Sequence, residues 1–257
     1  MWEARHGFPE PQRTRRGHRR YALREAERVR RVREDRQAGM SLALAIRRVR
    51  EDAEPRDASV FAELRRLQPD LEPRILSKRA MLAVSQAIED ECLAQAERPL
   101  LYAAFQRRQF YAPVARRWRE LARTAYASYV FADFERMRRP GPGPVQVPLT
   151  PASPMMREWL LACWDQRYVA CLIGWERPQG AAVEDEARSF EAVWSMAPDV
   201  VRQVVLACTR RLGLVDPDLA AGTAAWLDGQ PGPPAAGQLR TASALIGRMA
   251  AYLGEAP

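Results

Sequence analysis

The chain is short of the residues that most chemistry needs. Among its 257 residues there is one lysine, Lys78, and there are two histidines, His6 and His18. Both histidines fall in the first twenty residues, so the rest of the chain has no imidazole base. A general base would have to be a carboxylate, and a pair such as Glu89 with Asp133 serves only if the two meet in space. No GxSxG, P-loop, GxGxxG or HExxH segment occurs. An enzyme is therefore not expected. The four cysteines, Cys92, Cys163, Cys171 and Cys208, form no CxxC pair. A zinc site is not expected, and buried reduced thiols are. No cofactor is predicted. No apolar run approaches the roughly eighteen residues that a membrane span needs. The start is polar and basic with no apolar leader, so a cytoplasmic protein without a membrane segment is expected.

Positive charge is present but segregated. Residues 1–50 hold fifteen arginines and six acids, a net of +9. The whole chain holds 40 basic and 32 acidic residues, so the remainder has 25 and 26, a net of −1. A basic head on a neutral body fits a nucleic-acid-binding segment joined to a domain with another task. The densest part is Arg13 to Tyr21, RTRRGHRRY. Gly17 suits a tight turn that carries charge outward, with Tyr21 as an aromatic anchor. The planar fork of arginine grips phosphate oxygens in pairs.

Further along the head, LREAERVRRVREDRQ (23–37) predicts a helix stopped by Gly39. Ser41 caps another, with Leu42, Ile46 and Val49 on one side. Residues 51–57, EDAEPRD, read as a linker, and Ser59 caps a short helix, SVFAELRRL. From Pro73 a long amphipathic helix runs to Pro99. Its Glu89, Asp90 and Glu91 read as a solvated face. Five apolar runs then read as strands: Leu100 to Gln106, Ala125 to Phe134, Val145 to Leu149, Trp159 to Trp164 and Val169 to Trp175. A helix over Val114 to Thr124 separates the first two, and the prolines and glycines of MRRPGPGPVQ make a loop. Phe190 to Leu212 reads as helical, with Pro198 opening a second helix. The tail has a Pro/Gly linker at 229–237 and an amphipathic helix over Leu239 to Leu253. The expectation is an α/β (α+β) chain: a helical head, a body with a central sheet of about five strands flanked by helices, and a helical tail.

The aromatic supply of the body is mostly core. A few rings suit a pocket for a small molecule or chromophore. Glu89, Phe105, Asp133 and Trp175 are the candidate pocket residues, with Asp133 at the end of a predicted strand where ligands approach an open sheet.

Residues 2–46 resemble the DNA-binding domain of MerR-family transcription regulators, in the branch whose wing is written GHRRY. The resemblance implies that Arg13, Arg15, Arg16, His18, Arg19 and Arg20 face DNA, with Tyr21 at the wing base. It also implies a homodimer on double-stranded promoter DNA. Family members begin earlier, so Met1 falls inside the recognition helix. Two readings stay open: the start lies upstream, which is favoured, or the protein does not bind DNA alone. Ala22 stands where the family usually places a capping Ser. The body, from Pro73 to Leu212, resembles the DICT sensory domain through segments such as AIEDECLA, ERPLLYAAFQR, REWLLACWD and YVACLIGWE. That family implies signal sensing and no established catalytic residues. The expected division is a partial MerR-type head at 1–52, a linker and short helix at 53–72, a DICT-like domain at 73–212, and a linker with C-terminal helix at 213–257. The alternative function is a sensory or protein-interaction module that has lost autonomous DNA binding.

Overall fold

The computed structural model describes residues 8–9, 12–13, 19–21, 23–37, 40–53, 59–177, 185–233 and 235–254. The chain divides into two compact units, Met1–Arg56 and Asp57–Pro257.

In the first unit, β1 (Gln12–Arg13) and β2 (Arg19–Arg20) form an antiparallel ribbon, with Gln12 opposite Arg20 and Arg13 opposite Arg19. Helices α1 (Leu23–Gln37) and α2 (Leu42–Ala53) follow. The Ser41 hydroxyl accepts from the Leu44 N–H at 3.3 Å, which satisfies one orphan donor of the α2 start. The apolar side read for α2 is the buried one: Ala45, Ile46 and Val49 close over Val32 and Phe8. The expected cap position, Ala22, and the expected helix end at 2–8, apart from Phe8, lie outside the described residues.

The second unit has an α+β architecture. A short helix, α3 (Val60–Leu67), opens it, capped by the Ser59 hydroxyl on the Ala62 N–H at 2.8 Å. The sheet strands are β3 (Arg74–Ser77), β4 (Leu100–Ala104), β5 (Ala127–Ala132), β6 (Val145–Pro148), β7 (Glu158–Trp164), β8 (Val169–Glu176) and β9 (Ser189–Ser195). They lie in the order β3-β9-β8-β7-β4-β5-β6. The β4–β5 and β5–β6 pairs are parallel and the rest antiparallel. The helices are α4 (Lys78–Gln95), α5 (Arg108–Tyr111), α6 (Ala115–Thr124), α7 (Pro198–Gly213), α8 (Pro217–Asp228) and α9 (Ala235–Gly254).

The central strands are buried on both faces, which is why they read as unbroken apolar runs rather than alternating ones. Alternation then sorts side chains between two cores. One face sends Tyr102, Tyr129, Phe131, Leu160 and Ile173 toward α3, α7 and α8. The other sends Leu101, Ala103, Val130, Leu161 and Leu172 toward α4, α6 and α9. Gly174 marks the closest approach: a Cβ there would meet Met81 Cε of α4 at 2.6 Å and Phe190 Cβ at 3.2 Å. All four cysteines are free and buried.

Among the described residues the sheet has seven strands, not five. The five expected runs are all strands; the two extra ones fall in stretches whose spacing predicts helix. β3 (RILS) is a short edge strand, and Ile75 on it is 63% exposed, so it carries no apolar signature. The long helix begins only after it, where the Ser77 hydroxyl caps the Ala80 N–H at 3.2 Å. In β9, Phe190 and Trp194 stand four apart and mimic a helix face. The chain there is extended, and Phe190 and Ala192 share the α4 side while Val193 turns to the other. Pro198 does open α7, at its first turn. Helix α8 was not expected at all; Asp216 caps it, accepting from the Leu219 N–H at 3.0 Å.

Candidate functional site

The first candidate is the ribbon of the first unit. Its register sets Arg13 across from Arg19. Arg15, Arg16 and His18 lie outside the described residues. Tyr21, the expected base of the wing, is 45% exposed.

The second candidate is a cavity of about 500 Å³ in the second unit. It lies at the carboxyl end of β4, under the first turns of α4 and beside α5. Leu82, Phe105, Phe110, Pro113, Val114 and Trp159 supply its apolar wall. Lys78, Gln106, Gln109, Asp185 and Arg188 supply its polar rim. Strand β4 ends there in an unusual turn. Gln106 has φ 63°, and the Arg107 N–H donates to the Phe105 carbonyl at 2.6 Å. A γ-turn with positive φ at a side-chain-bearing residue is strained, and it persists only where its surroundings hold it. Here Gln106 donates to Glu176 at 3.0 Å and accepts from Arg188. Arg188 in turn donates to both Glu176 oxygens, at 2.7 and 2.9 Å, and to Asp185 at 3.1 Å. Its guanidinium also lies over Phe110, 4.7 Å from the ring centre. Lys78 pairs with Asp185 from the other side.

A smaller cavity of about 230 Å³ adjoins it, sharing Leu82, Phe105, Val114 and Trp159. Glu89 and Arg117 line its deep end. Burial pushes the Glu89 carboxyl above its usual range, and Arg117, which donates to it, pulls it back. Arg117 also holds Asp90. Burial works against the Asp90 carboxylate, but hydrogen bonds from Tyr252 and Arg117 outweigh it and keep the group below its ordinary value. Arg248 of α9 grips Glu91 at 2.8 Å. The acidic trio is thus not a solvated face. Glu89 and Glu91 are buried, because α6 brings Arg117 and α9 brings Arg248 over them.

The four expected pocket residues do not converge. Glu89 and Phe105 line the same smaller cavity. Asp133 follows β5 and accepts from the Arg108 N–H, anchoring the start of α5. Trp175 points to the opposite face of the sheet, within the other core, under the guanidinium of Arg157 at 4.8 Å. Sequence reasoning missed Gln106, Trp159, Arg117 and Arg188. A strained turn at a glutamine has no local signature, and Arg188 is one arginine among many. Lys78, the only lysine, was visible in the sequence but had no neighbour to give it meaning.

Residues 1–52 match the MerR helix-turn-helix family of regulatory proteins. Residues 58–177 match DICT, the sensory domain in diguanylate cyclases and two-component systems. The chain joins a MerR-type helix-turn-helix domain to a DICT sensory domain. The two matched families are regulatory and sensory rather than catalytic. The DICT match takes in both cavities' walls from α4, β4, α5, α6 and β7, and stops short of Asp185 and Arg188. No match to a curated protein or to a solved structure was found. Among the described residues, no helix is long and apolar enough to cross a membrane, and no cluster of three potential metal ligands occurs.

Proposed function

We propose that the chain is a one-component transcriptional regulator of the cytoplasm. Its MerR-type domain binds double-stranded promoter DNA through the arginines of the wing, and its DICT domain takes up a signal at the cavity beneath α4 and α5. A homodimer would match the two-fold symmetry of an operator. The observation that carries this reading is the joining of the two domains in a chain whose excess positive charge lies wholly in the first, +9 over residues 1–50 against −1 beyond. Wing arginines position a protein on phosphates, and base contacts add sequence choice. Retention of a promoter-length duplex at low salt tests the wing. The full chain should retard the duplex, and the combined change of Arg15, Arg16 and Arg19 to Ala should abolish retention. Undiminished retention by that variant would remove the wing from the mechanism.

A further inference from the structure

The ligand chemistry of the DICT cavity follows from its charges, provided that the cavity is the sensory site proposed above. Among the described residues, every cation that lines this cavity or the smaller one beside it is already engaged. Arg188 is held by Glu176 and Asp185, Lys78 by Asp185, and Arg117 by Glu89 and Asp90. An anionic ligand would have to displace one of these carboxylates and leave it poorly solvated. A cationic ligand would have to displace a guanidinium from its acids. The charged groups therefore frame the cavity and oppose an ionic occupant.

What remains is carbon and ring surface. Trp159 gives its indole N–H to Ser85 at 2.9 Å, so its ring faces the cavity as an apolar plate. Phe105 is half-buried, and its ring meets Tyr111 and Trp118 at tilted and edge-on angles. Leu82 and Val114 close the sides. A volume of about 500 Å³ suits a molecule of two or three fused or linked rings. The strained turn at Gln106 fixes the rim, and the exposed Gln109 beside it carries an amide able to donate and accept.

We propose that the cavity binds an uncharged, planar aromatic molecule, seated against Trp159 and Phe105 with its polar edge toward Gln109. Two fluorescent probes that differ by one sulfonate test this on the full chain: N-phenyl-1-naphthylamine, which is neutral, and 1-anilinonaphthalene-8-sulfonate. The neutral probe should bind at least about tenfold more tightly. Leu82→Trp at the mouth should weaken it at least about tenfold, and so should Val114→Trp. Leu93→Trp, on the same helix but outside the cavity, should not. Equal or tighter binding of the sulfonate would overturn the uncharged class while leaving the cavity as a site. No binding of either probe, or binding indifferent to both obstructing variants, would remove the cavity itself as the sensory site.

Discussion

The two faces of the DICT-domain sheet solve the same burial problem differently. The face under α3, α7 and α8 is closed by stacked rings and paired hydroxyls. Tyr102 stacks on Tyr129 at 5.1 Å, and their hydroxyls meet Thr209 of α7 at 2.8 Å and Thr223 of α8 at 2.7 Å. The face under α4, α6 and α9 carries the two cavities beside its buried apolar cluster, and buried or half-buried ion pairs tie its helices together. Tight packing fixes one arrangement, whereas ion pairs and voids leave room to rearrange. A sensory domain needs one of each: a rigid frame and a surface that a ligand can reorganise.

Large-to-small changes should separate the faces most clearly. Phe131→Ala on the closed face should cost about 3–5 kcal/mol, because nothing can collapse into the gap. Phe105→Ala, beside an existing void and half-buried, should cost about 1–2 kcal/mol. Urea unfolding of the two variants reads the difference, and equal losses would dissolve the distinction.

Next in size is a fully buried acid of the closed face, Glu158. One of its oxygens accepts from the Phe61 N–H at 3.0 Å. Burial pushes its carboxyl up to about 7, against the pull of the Phe61 N–H, Ser59 and Arg211. Between pH 4.5 and about 7 the unfolded chain has lost this proton and the folded chain keeps it. The folded state then binds more protons, so stability falls as pH rises through that window, by about 3 kcal/mol in all. Glu158→Gln should flatten this fall. An unchanged pH dependence would place its source elsewhere.

The smallest of the three effects belongs to the cavity face. Arg117→Ala leaves Glu89 buried without its guanidinium. The loss should be about 2 kcal/mol where Glu89 is ionised and should shrink on acidification, as Glu89 takes up a proton and no longer needs the guanidinium. A loss that does not change with pH would mean that Arg117 acts by packing alone.

The closed face was legible in its strands and in two of its three helices, α8 being the exception. Its strands declare themselves as apolar runs, and Pro198 and Ser59 mark their helix starts by local chemistry. The cavity face was not, because its features are made at long range. Glu89 to Glu91 look like a solvated stripe until Arg117, Arg248 and Tyr252 arrive from 27 to 162 residues away in sequence. The edge strand β3 and the strand β9 hid for a related reason: an exposed four-residue edge has no pattern, and rings spaced by four fit helix and strand alike. The head was legible through the order and spacing of its residues, which carried the family resemblance, and through charge, which a sequence shows directly.

The most direct test of the regulator account is the salt dependence of DNA binding by the full chain. The affinity for a promoter-length duplex, measured over a series of salt concentrations, should give log K falling linearly with log salt. The slope should be about −0.9 for each phosphate neutralised, and the change of Arg15, Arg16 and Arg19 to Ala should reduce it by roughly three per wing. A flat dependence, or no binding at low salt, would contradict the account and leave the DICT domain attached to a basic segment with another partner.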